Sequence, residues 1–65
     1  MAEKMTRARL NEIIERDMPG WHLAQDEKDP DGSIDGEYIV RASRDNGSLK
    51  KTVVISNGKI IGAQG

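Results

Sequence analysis

Residues 37–61 read EYIVRASRDNGSLKKTVVISNGKII, and this stretch decides the fold. Two runs in it are rich in β-branched residues, and each is followed by an Asn-Gly pair, at 46–47 and 57–58. Asparagine and glycine both tolerate the positive φ angles of a type I′ turn, so each pair predicts a β-hairpin. The stretch therefore predicts three consecutive antiparallel strands, at about residues 37–44, 49–56 and 59–63.

Two-residue turns at these pairs give a predicted register. One face then carries the aligned rows Tyr38–Ile55–Ile60 and Val40–Val53–Gly62, and the second carries Ile39–Val54–Ile61 followed by Arg41–Thr52–Ala63. The first face has more large apolar groups, so we expect a helix to cover it. A three-residue loop with a bulge at residues 45–47 would shift the pairing by one and exchange the two faces. This second face is half apolar and half basic, and its candidate interaction residues are Ile39, Arg41, Lys50, Thr52, Val54 and Ile61.

The segment before the strands has the period of an amphipathic helix. Its apolar residues recur at spacings of three, one and four, which places them on one side of a helix. Thr6 is suited to be the N-cap, and Pro19 followed by Gly20 ends the pattern. The predicted helix covers about residues 6–17, and its apolar stripe is Leu10, Ile13, Ile14 and Met18.

Between the helix and the hairpins the sequence predicts a short strand and a long loop. Trp21 and Leu23 alternate with His22 and Ala24, as in a half-buried strand at about residues 21–25. Residues 26–36 contain one large apolar side chain, two glycines and a proline among mostly acidic residues, which predicts an exposed acidic loop.

Together these elements predict the α+β class: one N-terminal helix packed on a three- or four-stranded antiparallel meander. A chain of 65 residues holds one domain at most, residues 1–65, and its core is small. The absence of cysteine removes disulfides as a source of stability, which makes self-association a natural way to bury more surface.

Charge is unevenly distributed along the chain. Residues 1–40 carry five basic and ten acidic groups, a balance of −5, whereas residues 41–65 carry five basic and one acidic, a balance of +4. Such polarity can orient a partner or let the basic part of one molecule meet the acidic part of another.

The second sheet face gives the leading functional hypothesis. One helix covers only one side of a sheet, so the row Ile39–Val54–Ile61 faces solvent or a partner. With Arg41 and Lys50 beside it, we expect this face to serve a small, non-enzymatic protein-interaction module that forms a homodimer or binds an acidic protein. Ordinary cross-strand packing on a solvated face is the competing interpretation.

Nucleic-acid binding through the basic hairpins is the alternative function. A sequence pI of about 5.7 and the scarcity of aromatic side chains for base stacking argue against it. The basic residues concerned are Arg41, Arg44, Lys50, Lys51 and Lys59.

Catalytic, metal and cofactor sites have little support in the sequence. Asp29, Asp31, Ser33, Asp35 and Glu37 alternate like the ligands of a calcium-binding loop, but position six of such a loop would be Ile34 instead of glycine. His22 is the single histidine and has no assignable catalytic partner. We therefore expect no enzyme activity, no metal and no cofactor.

No stretch approaches the length of a membrane span or a signal peptide, so we expect a cytoplasmic protein without a membrane partner.

The order of helix, Pro19-Gly20, strand, acidic loop and two hairpins ending in Gly58-Lys59-Ile60-Ile61 resembles PepSY-type modules, small domains associated with the regulation of proteases. The resemblance is one of layout over residues 6–62 and includes no specific motif. It implies a binding or inhibitory module rather than an enzyme, and it assigns no functional residue.

Overall fold

A computed structural model describes residues 3–65 and contains one helix and one four-stranded antiparallel sheet. The strands are adjacent in chain order, so the sheet is a meander behind an N-terminal helix. This architecture confirms the predicted α+β class. The elements are α1 (Arg7–Asp17), β1 (His22–Leu23), β2 (Glu37–Arg44), β3 (Leu49–Ser56) and β4 (Lys59–Gln64).

Helix α1 begins and ends where its sequence indicates. The Thr6 side chain accepts a hydrogen bond from the backbone N–H of Arg9, which satisfies one of the free donors of the first turn. At the other end the backbone N–H of Met18 donates to Ile14, and Gly20 continues the chain with a φ of 91°. The helix buries Leu10, Ile13 and Ile14 against the sheet.

Both hairpins use the left-handed conformations that the Asn-Gly pairs predict. Asn57 and Gly58 have φ angles of 53° and 75°, as a type I′ turn requires at its two central positions. The first hairpin has a longer reversal, in which Asp45 and Asn46 as well as Gly47 have positive φ. Arg44 still pairs with Leu49, so the predicted register of β2 and β3 is confirmed along its whole length.

The register of β4 was predicted wrongly beyond its first two pairs. Ile60 pairs with Ile55 as expected, but Val54 then pairs with Gly62, because a β-bulge makes Ile61 an extra residue on β4. Thr52 consequently pairs with Gln64 instead of Ala63, and β4 extends to Gln64. The tight turn sets the first pairs. The bulge leaves no signal in the sequence, because Gly62 and Ala63, which follow it, have no large side chains whose alternation would reveal the shift.

Strand β1 is shorter than predicted, because only His22 and Leu23 form the ladder, with Ser43 and Ala42. Trp21 precedes it and donates its backbone N–H to Met18, and Ala24 adds one further hydrogen bond to Arg41. The core lies between helix and sheet and consists of Met5, Leu10, Ile13, Ile14, Trp21, Leu23, Val40, Ala42, Val53 and Ile55.

The second half of the acidic loop is attached to the N-terminal segment of the chain. The backbone N–H of Met5 donates to Gly32 at 2.8 Å, and that of Ile34 donates to Glu3 at 2.7 Å. Ile34 also packs against the core, and the Tyr38 hydroxyl donates to the Ser33 carbonyl at 2.6 Å. The loop predicted as wholly exposed is therefore held from Gly32 onward, with Met5 buried beneath it.

Candidate functional site

The sheet has one covered face and one open face. Helix α1 packs on the face that carries the buried strand residues, and the opposite face, here termed the outer face, has no described element over it. Alternation along the strands assigns the outer face its side chains. They are His22 on β1; Glu37, Ile39, Arg41 and Ser43 on β2; Lys50, Thr52, Val54 and Ser56 on β3; and Lys59, Ile61 and Gln64 on β4.

An apolar row crosses the middle of the outer face. Ile39 pairs directly with Val54, and the bulged Ile61 lies beside Val54 on β4. Ile39 is 68% exposed and Ile61 is 62% exposed, so two large β-branched side chains stand in solvent on the same surface. The six residues predicted for the interaction face are all exposed or half-buried here. The bulge moves Ile61 out of its predicted pairing with Val54 and gives Thr52 a different partner, Gln64.

Charged and polar residues flank the apolar row along the strand direction. Arg41 lies on the side of the row that faces the first hairpin reversal, and Lys50 lies one row further in the same direction. Lys50 pairs with Ser43, which in turn pairs with His22. Glu37 lies on the other side of the apolar row, where it pairs with Ser56, and Ser56 pairs with Lys59. On β2 the outer face thus carries an acidic group and a basic group on opposite sides of Ile39.

The five basic residues considered for nucleic-acid binding do not form one patch. Lys51 is on the helix side of the sheet, where its Nζ lies 5.3 Å from the centre of the Trp21 ring. Arg44 alternates to the same side, and its side chain lies beside Gly20. Only Arg41, Lys50 and Lys59 share the outer face, whose single aromatic side chain among residues 3–65 is the imidazole of His22 at the β1 edge.

Both edges of the sheet are partly covered by helix α1. Asn11 Oδ1 accepts a hydrogen bond from the backbone N–H of Leu23 at 2.9 Å, which occupies an edge donor of β1. Beside the other edge Arg16 Nη2 donates to the carbonyl of Gly58, in the turn that precedes β4, at 3.0 Å. The bulge at Ile61 further interrupts the edge formed by β4, which disfavours addition of a partner strand there.

Asp17 carries the clearest electrostatic effect in the structure. Its pKa is lowered, first by the hydrogen bond from Arg16 and further by the positive charge of Arg16, the backbone N–H of Ile60 and the charge of Lys59. The same contact raises the pKa of Arg16. These groups hold the end of α1 against the start of β4.

The polar clusters elsewhere are local contacts. Ser33 Oγ donates to Asp35 at 2.6 Å in the acidic loop, and no three His, Asp or Glu side chains converge as a metal site within residues 3–65. His22 Nδ1 lies 3.3 Å from Glu15 Oε2, and both side chains are exposed. An open cleft of about 970 Å³ beside His22 is lined by cations and anions together, including Lys50 and Asp26.

Two residues that support the sheet could not be identified from the sequence. Asn11 has no sequence signal for its contact with Leu23, because the two lie on different elements, and Met5 precedes the periodic segment of the helix.

Within residues 3–65 no helix is long and apolar enough to cross a membrane.

No protein-family model, no curated protein and no solved structure matches the chain. The resemblance to PepSY-type modules is therefore limited to the order of elements.

Proposed function

We propose that this chain is a small protein-interaction module that associates with a second copy of itself through the outer face. The observation that supports the proposal is the exposure of Ile39 and Ile61 on one side of the sheet, next to Val54. Soluble monomers expose single apolar side chains routinely, but a contiguous apolar row rimmed by charges is typical of a binding surface.

The arrangement of the edges favours packing on the face. A strand that added to the sheet would need free N–H and C=O groups along an edge. Asn11 occupies the N–H of Leu23 at the β1 edge, and the bulge at Ile61 interrupts the β4 edge. Face-to-face packing requires no free backbone group and would bury Ile39, Val54 and Ile61 together.

The size of the face sets the expected affinity. β2 and β3 have eight residues each and β4 has six. At about 3.3 Å per residue and about 4.8 Å between strands, they give a surface of roughly 25 by 15 Å. Two such faces bury on the order of 1,000 Å² together, which is below the usual 1,200–2,000 Å² of stable complexes. We therefore expect dissociation constants in the micromolar range or weaker.

Sedimentation equilibrium from about 10 μM to 1 mM tests the proposal. We expect the weight-average mass to rise from monomer towards dimer for the unmodified chain and to stay monomeric for Ile39→Lys. A matched control is Leu49→Lys, because Leu49 is a large apolar residue that is 47% exposed but alternates to the helix side of the sheet. A monomer at 1 mM, or equal loss of association in both variants, would contradict the proposal.

Nucleic-acid binding is less supported, because Arg44 and Lys51 alternate to the helix side and the outer face offers no Phe, Tyr or Trp ring for stacking, only the imidazole of His22. Titration of the same samples with a mixed-sequence oligonucleotide at low salt separates the two functions. Binding that is lost in Lys50→Glu but retained in Ile39→Lys would favour the nucleic-acid alternative.

A further inference from the structure

From the charge pattern of the outer face we infer that the two copies pack with their strands antiparallel, so that Glu37 of each copy lies opposite Arg41 of the other. This inference rests on the proposed function and adds the orientation of the pair. In aligned sheet packing the strands of the two sheets lie within about 30° of each other, and an aligned symmetric pair then has two arrangements, with strands antiparallel or parallel.

In the antiparallel arrangement the two-fold axis runs across the strands along the Ile39–Val54 row. Residues one row to either side of the axis then exchange partners. Glu37 and Arg41 lie on the same strand and the same face, two residues before and two after Ile39. Each Glu37 therefore meets an Arg41 of the second copy, and the isoleucine and valine of the central row meet their own equivalents.

The remaining rows are compatible with this arrangement. Ser56 faces Thr52 of the second copy, and Lys59 faces the uncharged Gln64, because these residues lie one row from the axis on β3 and β4. Lys50, two rows from the axis on β3, lies opposite Gly58 in the β3–β4 turn of the second copy. Each copy contributes one Glu37 and one Arg41, so one Glu37–Arg41 pair forms on each side of the axis. Opposite charges thus meet at both ends of the pair.

The parallel arrangement, with the axis along β3, has a charge conflict. Glu37 would meet Lys59 of the second copy, but Lys50 would lie against its own equivalent, since both are on the strand that contains the axis. The end of the sheet that carries Arg41 and Lys50 would also meet the same end of the second copy. Like charges across an interface disfavour it, whereas complementary ones fix its orientation.

Charge-reversed variants that are mixed in pairs distinguish these arrangements. In Glu37→Lys a cation at position 37 faces Arg41, and in Arg41→Glu two carboxylates face each other, so each variant alone should self-associate about tenfold more weakly than the unmodified chain. In an equimolar mixture the new lysine of the first variant meets the new glutamate of the second, and the unchanged Arg41 of the first meets the unchanged Glu37 of the second. We expect the mixed dimer to form with close to the original affinity, as measured by native mass spectrometry and sedimentation.

The control mixture is Glu37→Lys with Lys59→Glu, which would be complementary only in the parallel arrangement. All three positions are exposed, so the variants should fold, and circular dichroism checks this. Restored association in the Glu37–Arg41 mixture alone supports the inference. Restoration in the Lys59 mixture, or in neither mixture while the unmodified chain dimerises, overturns the antiparallel arrangement and leaves the proposed function standing. A monomeric unmodified chain overturns both.

Discussion

Asn11 on helix α1 accepts a hydrogen bond from the backbone N–H of Leu23 on β1, with 2.9 Å between Oδ1 and N. The Asn11 amide nitrogen also donates to Glu15 one turn later, which holds the side chain in place. The helix therefore covers one sheet face with its apolar stripe. Through the Asn11 side chain it also occupies the N–H of Leu23 at one edge of the sheet. This contact explains how a strand of two residues is kept in the sheet.

Replacing Asn11 with alanine should lower the free energy of unfolding by about 1–2 kcal/mol, because the partly buried N–H of Leu23 loses its acceptor. Urea denaturation measures this change. Glu12→Ala is the matched control, since Glu12 is an exposed neighbour on the same helix and its loss should cost less than about 0.5 kcal/mol. Equal effects of the two substitutions would show that water replaces the amide without cost.

Gly58→Ala should destabilise the fold by about 1 kcal/mol through the backbone alone. Gly58 has a φ of 75°, which L-residues adopt at a cost, and a Cβ there would contact nothing within 4 Å. Gly62→Ala provides the comparison, because Gly62 also has open space around it but does not have a positive φ. In thermal unfolding we expect a lower midpoint for Gly58→Ala and an unchanged or higher midpoint for Gly62→Ala. The reverse order would contradict a type I′ turn.

Gly32 and Tyr38 should be energetically coupled. A Cβ on Gly32 would lie 2.6 Å from the Tyr38 hydroxyl oxygen but 3.5 Å from the next ring atom, so the hydroxyl is the obstacle. Gly32→Ala should therefore cost about 1–3 kcal/mol in the unmodified chain and clearly less when Tyr38 is already phenylalanine. A double-mutant cycle by urea denaturation measures the coupling. Strict additivity would mean that the loop moves away from Tyr38 freely.

Asp17 should contribute to the loss of stability in acid. The pKa of Asp17 is lowered in the folded chain by Arg16, with Ile60 and Lys59 contributing. The stabilising effect of Asp17 is therefore present above the unfolded aspartate pKa of about 3.9 and is lost as the pH falls through the folded pKa. Urea midpoints measured from pH 6 to pH 2 should fall less for Asp17→Asn than for the unmodified chain. Asp29→Asn, in the exposed first half of the loop, controls for the loss of one carboxylate. An identical acid response of all three proteins would contradict the role of Asp17.

The sequence by itself determined the elements whose signals are local. The spacing of Leu10, Ile13 and Ile14 predicts the helix and its buried side, and the two Asn-Gly pairs predict both reversals, because helix periodicity and positive φ depend on neighbouring residues only. Since the side-chain period of a strand is two, the β2–β3 register also assigned Ile39, Arg41, Lys50, Thr52 and Val54 to the outer face.

Tertiary structure alone decided the features that depend on residues far apart in the chain. The bulge at Ile61, the burial of Met5 under the acidic loop and the contact between Asn11 and Leu23 each join separate segments. The same holds for the separation of Lys51 from Lys50, because the stem of Lys51 extends towards Trp21 on the helix side. Such contacts form only when the helix is placed on the sheet, and the spacing of residues along the chain does not encode that placement.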